Sequence, residues 1–203
     1  MPKLLLASAN AGKVKEYRLL LANLGCQIIT LAEQGISKVA IESGNSYEQN
    51  AQMKATTYAK LSQLISLTDD SGLEVDVLNG EPGIHSARFA GRDATDTGRV
   101  TALLARLDGV PWERRTAHFK CVIAIATPKD ELELCSGECH GIIAFEPRGN
   151  NGFGYDPIFY LPKMGKTMAE LPLEVKNRIS HRAQASQKAR QVLKRFIDYN
   201  NYQ

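Results

Sequence analysis

"LLLASANAGKVKE", residues Leu4 to Glu16, decides how the chain begins to fold. Leu4–Ala7 is a short apolar run of the kind that forms a buried strand. Small polar residues then break it, and Val14, Tyr17, Leu20, Leu21 and Leu24 recur at helical spacing. The stretch therefore predicts a strand, a tight loop and a helix starting near Asn10–Gly12. The first N–H groups of such a helix have no partner within it, and its positive dipole end attracts anions. Ser8 and Asn10 add polar groups there and Lys13 adds a cation. The G-x-x-x-x-G-K-[ST] phosphate loop is excluded, because Ala7 stands at its first glycine and Val14 at its hydroxyl position. Taken alone, the segment is read first as an ordinary capped strand–helix turn with a surface lysine.

Outward from that unit, "CQIITL" (Cys26–Leu31) reads as a second strand. Ser46 opens a helix with Gln49 at capping-box spacing, and Tyr47, Ala51, Tyr58, Leu61 and Ile65 are assigned to its apolar face. A further helix is predicted over Ala94–Gly109, with Val100, Leu103, Leu104 and Leu107 inward. Thr116–Thr127 alternates as a strand, "TPKDE" turns it back, and Glu131–Glu146 returns as a strand interrupted at Gly137 and Gly141. Ser180 caps a last helix carrying Ala185, Ala189, Val192, Leu193 and Phe196. Early strand–helix alternation followed by long hairpin strands predicts an α/β fold with a mixed sheet flanked by helices.

A chain of 203 residues, 43% hydrophobic and 23% charged, suits one globular domain, or one domain with two lobes. The net charge of +3 fits a small anionic ligand and gives no argument for nucleic acid. The first apolar run is too short for a signal peptide, and the longest, Cys121–Ala126, is strand-sized rather than membrane-spanning. No membrane partner is expected. Four scattered cysteines make no disulfide framework, and "CSGECH" lacks the second ligand pair of a closed zinc site. The expected location is a reducing cytoplasm.

Three other stretches carry candidate chemistry. "TDDSGLEVD" (Thr68–Asp76) places Asp69 and Asp70 at a strand end before a Ser-Gly turn, where a carboxylate can ligate magnesium or activate water. Plain turn chemistry explains the same residues. "GNNGFGYDPIF" (Gly149–Phe159) is no dinucleotide fingerprint, since Pro157 stops a helix from opening where that motif needs one. It reads as a loop closing on a flat ligand, with Phe153 stacking on a base and Asp156 accepting from a ring N–H, or else as a hairpin corner with buried aromatics. "EVKNRISHRAQA" (Glu174–Ala185) gathers Lys176, Arg178, His181 and Arg182 around a helix start, which opposes the helix dipole.

With "SANAGK", "DDSGLEVDVLNGEPGIHSARFAG", "GFGYDPIF" and "ISHRAQA" in this order, the chain resembles the inosine/xanthosine triphosphate pyrophosphatase family from about Pro2 to Phe196. The resemblance implies an elongated mixed sheet in a single domain of two lobes, with the substrate in a cleft between them. It implies a homodimer that needs Mg2+ and hydrolyses deaminated purine nucleoside triphosphates (ITP, dITP, XTP) to monophosphate and pyrophosphate. By matching position, the loop Ser8, Ala9, Asn10, Ala11, Gly12 and Lys13 holds phosphates, and Asp70 is magnesium ligand and proton acceptor with Ser71 beside it. Phe153, Gly154, Tyr155 and Asp156, with Lys176, His181 and Arg182, surround the base. Arg182 or His181 is expected to donate to the 6-oxo group. A water activated by Asp70 or by the metal then attacks the α-phosphorus. One departure stands out: Gln49 occupies the position where the family has a metal-binding glutamate. Either metal affinity is reduced or another carboxylate such as Asp69 contributes, and a nucleotide-binding sensor with impaired turnover is the alternative reading.

Overall fold

The structure is a computed structural model; it describes residues 1–37, 40, 43–91 and 93–201, the last four of these by backbone alone. Seven strands form one mixed sheet in the order β2-β1-β3-β4-β5-β6-β7. They are β1 (Lys3–Leu6), β2 (Gln27–Thr30), β3 (Ile65–Val75), β4 (Thr116–Ala126), β5 (Leu132–Ile143), β6 (Phe159–Leu161) and β7 (Lys166–Thr167). β1 pairs in parallel with β2 and β3, while β6 pairs antiparallel with β5 and β7. The helices are α1 (Ala11–Leu20), α2 (Tyr47–Ser62), α3 (Asp96–Arg106), α4 (Leu173–Ile179) and α5 (His181–Asn201).

The chain forms two compact units. One comprises Met1–Asp70, Cys121–Gly137 and Arg182–Gln203; the other comprises Ser71–Lys120 and Glu138–His181. In the first, Leu4, Leu6, Leu67, Cys121, Ile123 and Ile125 from the strands pack with Tyr17 and Leu21 of α1 and with Ala185, Ala189 and Leu193 of α5. That is the apolar spacing expected for both helices, turned inward. In the second, Leu73, Val75, Phe119, Ile143 and Phe159 pack with Val100, Leu103 and Leu107 of α3.

Three local expectations change. Helix α2 ends at Ser62, where Gln63 takes the left-handed conformation with φ 56°, so Ile65 opens β3 and is not on the helical face. Leu61 is exposed. The segment Asp69-Asp70-Ser71-Gly72 is not a turn: β3 runs through it without a break. Turn propensity there yields to the pairing of a central strand, with Leu73 N just beyond it donating to Ser86 Oγ at 2.9 Å. β5 likewise continues through Gly137 and Gly141. A side chain at Gly141 would meet the ring of Phe159 and the backbone of Tyr160, so this glycine serves close packing rather than interruption.

Candidate active site

The loop after β1 is built as its residues suggest. Asn10 is the N-cap of α1, its side-chain oxygen accepting from Lys13 N at 2.9 Å, while Ser8 Oγ accepts from Asn10 N at 3.3 Å. The first helical backbone bond runs from Val14 N to Asn10 O. The N–H groups of Ala11 and Gly12 therefore head the helix, next to the exposed Ala9, with a first turn that holds no acidic residue.

Lys13 is not loose. Its Nζ lies 2.9 Å from Asp69 Oδ2, and the Asp69 carboxylate is almost wholly buried. Arg182, itself buried, donates from Nη1 to Glu16 Oε2 at 2.6 Å and brings Nη2 to 3.8 Å from the same Asp69 oxygen. Burial by itself raises the Asp69 carboxyl, but the charges of Lys13, Arg182 and Lys54 outweigh it and hold the group well below the usual carboxylate range. The same carboxylate pushes the buried Cys121 thiol, already raised by desolvation, up to about 12.

Asp70 is set differently. Asn50 Nδ2 donates to its Oδ2 at 3.1 Å, and Lys54 Nζ stands 3.8 Å from its Oδ1 while donating to the Asp69 carbonyl at 2.7 Å. Adjacent residues of a straight strand face opposite ways. Asp69 accordingly serves the Lys13–Arg182 side, and Asp70 is presented to α2. Asn50 and Lys54 are one helical turn apart on α2, so one face of that helix supplies both partners. The i, i+4 spacing of an amide and a lysine was the available signal for these two residues. Glu16, three residues after Lys13, could be found only through its burial.

The metal expectation divides. Among the described residues no group of three or more His, Cys, Asp or Glu side chains is arranged to hold a metal. Asp70 alone suits magnesium, which is commonly held by one or two carboxylates together with substrate phosphates. Asp69 is taken up by two cations. The amide oxygen of the exposed Gln49 accepts from Asn45 N at 2.8 Å, and its backbone N–H donates to Ser46 Oγ at 3.2 Å. Gln49 is thus part of the α2 cap.

The other site residues lie in the second unit, which Ser71 opens. Gly152 and Gly154 adopt positive φ, 77° and 63°, and turn the backbone around Phe153. Phe153 N donates to Asp156 Oδ2 at 2.9 Å, and that same oxygen pairs with Lys176 Nζ. Both members of this pair are buried, and Nζ stands 4.7 Å from the centre of the Phe153 ring. Asp156, the residue expected to accept from a ring N–H, holds Lys176 through this oxygen. Tyr155 is buried, with its hydroxyl donating to Ser86 O at 2.9 Å. His181 is buried and stacked on Phe119, ring centres 4.7 Å apart. His181 closes the second unit, whereas Arg182 belongs to the first and faces Glu16. The structure brings Phe153 and Lys176 together.

No described helix is long and apolar enough to cross a membrane. Residues 4–192 match the model of the Ham1 family. A dITP/XTP pyrophosphatase of Desulforamulus reducens is 48% identical over 195 residues, covering 96% of each chain. One from Bacillus subtilis is 44% identical over 193 residues, covering 95% of this chain and 98% of its own. The HAM1 protein structure from Coxiella burnetii superposes with a TM-score of 0.86 at 42% identity, over 95% of this chain and 98% of that one. A nucleoside-triphosphatase / dITP/XTP pyrophosphatase from Mycobacterium abscessus gives 0.75 at 41% identity, over 92% and 98%. Matched to that family model over residues 4–192 and similar to these relatives over nearly its whole length, the chain belongs to the Ham1 family.

Proposed function

We propose that the protein hydrolyses deaminated purine nucleoside triphosphates, ITP, dITP and XTP, to the monophosphate and pyrophosphate. The observation that carries this is the set of Lys13, Lys54 and the α1 N-terminus around Asp69 and Asp70, in a chain 48% identical to a relative named dITP/XTP pyrophosphatase. Phosphate binding falls to the first unit. The N–H groups at the head of α1 and the Lys13 ammonium neutralise phosphate oxygens, and Asp69, itself flanked by Arg182, holds Lys13 ready. Asp70 orients a water toward the α-phosphorus and accepts its proton. The bond from the α-phosphorus to its bridging oxygen breaks, and pyrophosphate leaves with that oxygen and its electron pair. Asp70 would hold magnesium together with the substrate phosphates, and the ion supplies charge neutralisation there.

Base recognition falls to the second unit. Phe153 offers a ring face, and Lys176 an ammonium that only donates. Hypoxanthine and xanthine bring a 6-oxo acceptor to it. Adenine brings a 6-amino donor, so a buried N–H is left without an acceptor, a mismatch that reaches about 10⁴-fold in designed-to-fit sites. A homodimer and a cytoplasmic location complete the reading; four free thiols suit a reducing compartment.

The test is direct. Protein is incubated with ITP, dITP, XTP or ATP, with magnesium or with a chelator, and pyrophosphate and orthophosphate are both measured. Pyrophosphate and monophosphate from the oxo-purines, little from ATP, and loss of turnover on chelation are the expected results. Orthophosphate alone, or nucleotide binding without pyrophosphate release, overturns the assignment.

A further inference from the structure

The backbone around Phe153 is held from both sides, and one of the two clamps comes from a residue outside the glycine-rich loop. The peptide unit before Phe153 is fixed by its own N–H, which donates to Asp156 Oδ2 at 2.9 Å. The peptide unit after Phe153 ends in Gly154 N, which donates to Asp96 Oδ2 at 2.7 Å. The two planes flanking one Cα determine its φ and ψ, and with them the direction in which the phenyl ring projects.

Asp96 is the first residue of α3, and an aspartate there is ordinary helix-start chemistry. That accounts for its charge and not for its aim. Its other oxygen, Oδ1, pairs with Arg99 Nη2 one turn along. Arg99 is fixed in turn, with Nη1 donating to Ala87 O at 3.0 Å and to Ala94 O at 2.5 Å. The neighbouring Ser86 carbonyl accepts from the Tyr155 hydroxyl at 2.9 Å. Gly154 has φ of 63° and no side chain, so without an outside acceptor its N–H is the softest point of the loop.

We propose that Asp96, oriented by Arg99, is a positioning residue for base recognition: it locks the Phe153–Gly154 peptide so that Phe153 presents its ring to the purine. This rests on the pyrophosphatase reading for the identity of the ligand, but the clamp itself can be measured without one. In Asp96→Ala, hydrogen exchange of the Gly154 amide in the unliganded protein rises about tenfold or more, as expected for loss of one charge-assisted hydrogen bond. Affinity for IMP falls about tenfold and KM for ITP rises with it, while kcat changes less. Binding of inorganic tripolyphosphate, which has no base, stays at the wild-type value. Asp96→Glu keeps the helix-start charge but moves the carboxylate by one methylene; it gives the same pattern and decides the matter if the alanine variant does not fold. Unchanged exchange at Gly154 in a folded variant overturns the proposal, as does an equal loss of IMP and tripolyphosphate binding. Failure of wild-type protein to release pyrophosphate from ITP counts against the assigned activity alone, since the exchange result stands apart from it.

Discussion

At the scale of single residues, the first unit concentrates charge where charge is hardest to place. Glu16, Asp69 and Arg182 are each at most 4% exposed, and they are stable only as a set. Removing Arg182 leaves two carboxylates buried without their shared cation. Arg182→Ala is therefore expected to lose about 3–5 kcal/mol of stability in urea unfolding. The Asp69 carboxyl titrates lower in the folded protein than in the unfolded chain. A depressed pKa gives stability that is present above the unfolded value, near 3.9, and is lost as the pH falls toward the folded value. Thermal melts from pH 7 to pH 3 should show wild type losing stability below about pH 4. Asp69→Asn starts lower at neutral pH and falls less steeply. Parallel curves for the two proteins would refute a stabilising role for this charge.

At the scale of elements, the short loops do what the long helices cannot. Helix α1 aims N–H groups because Asn10 caps it, and the loop around Phe153 keeps its shape because two glycines take left-handed φ. Gly152 is the more constrained of these. Any Cβ there runs into the Asp156 carboxylate and comes within 3.2 Å of Lys176 Nζ. Gly152→Ala adds about 1–2 kcal/mol of backbone strain to that collision. The expected outcome is a lower melting temperature and a raised KM for ITP, with competition by tripolyphosphate unaffected. A variant that melts and turns over like wild type would show that Asp156 and Lys176 are not fixed by this packing. The legible elements were those with strong periodicity: α1, α3, α5, β4 and the return strand β5. Ile65 was misplaced because an apolar residue three past the end of α2 continues the helical spacing, and nothing in its neighbours announced that Gln63 would take φ 56°.

At the scale of the whole molecule, one sheet order accounts for where the candidate residues lie. In the first unit β1 delivers the phosphate-type loop and β3 delivers Asp69 and Asp70 beside it, paired in parallel through Leu6 and Leu67. In the second, the glycine-rich segment leads into β6, while α4 carries Lys176 to Asp156. The sequence by itself determined the fold class, the positions of the main helices and strands, the anion-seeking loop after β1 and the candidate residues. Each of these is set within a dozen or so neighbouring residues, by periodicity, capping and turn chemistry. Only the tertiary structure decided partnership. It gave Asp69 to Lys13 and Arg182, Asp70 to Asn50 and Lys54, the inward Asp156 oxygen to Lys176, and Asp96 to Gly154. It also joined Glu16 to Arg182, 166 positions away, and a buried ion pair depends on distances that no local pattern encodes.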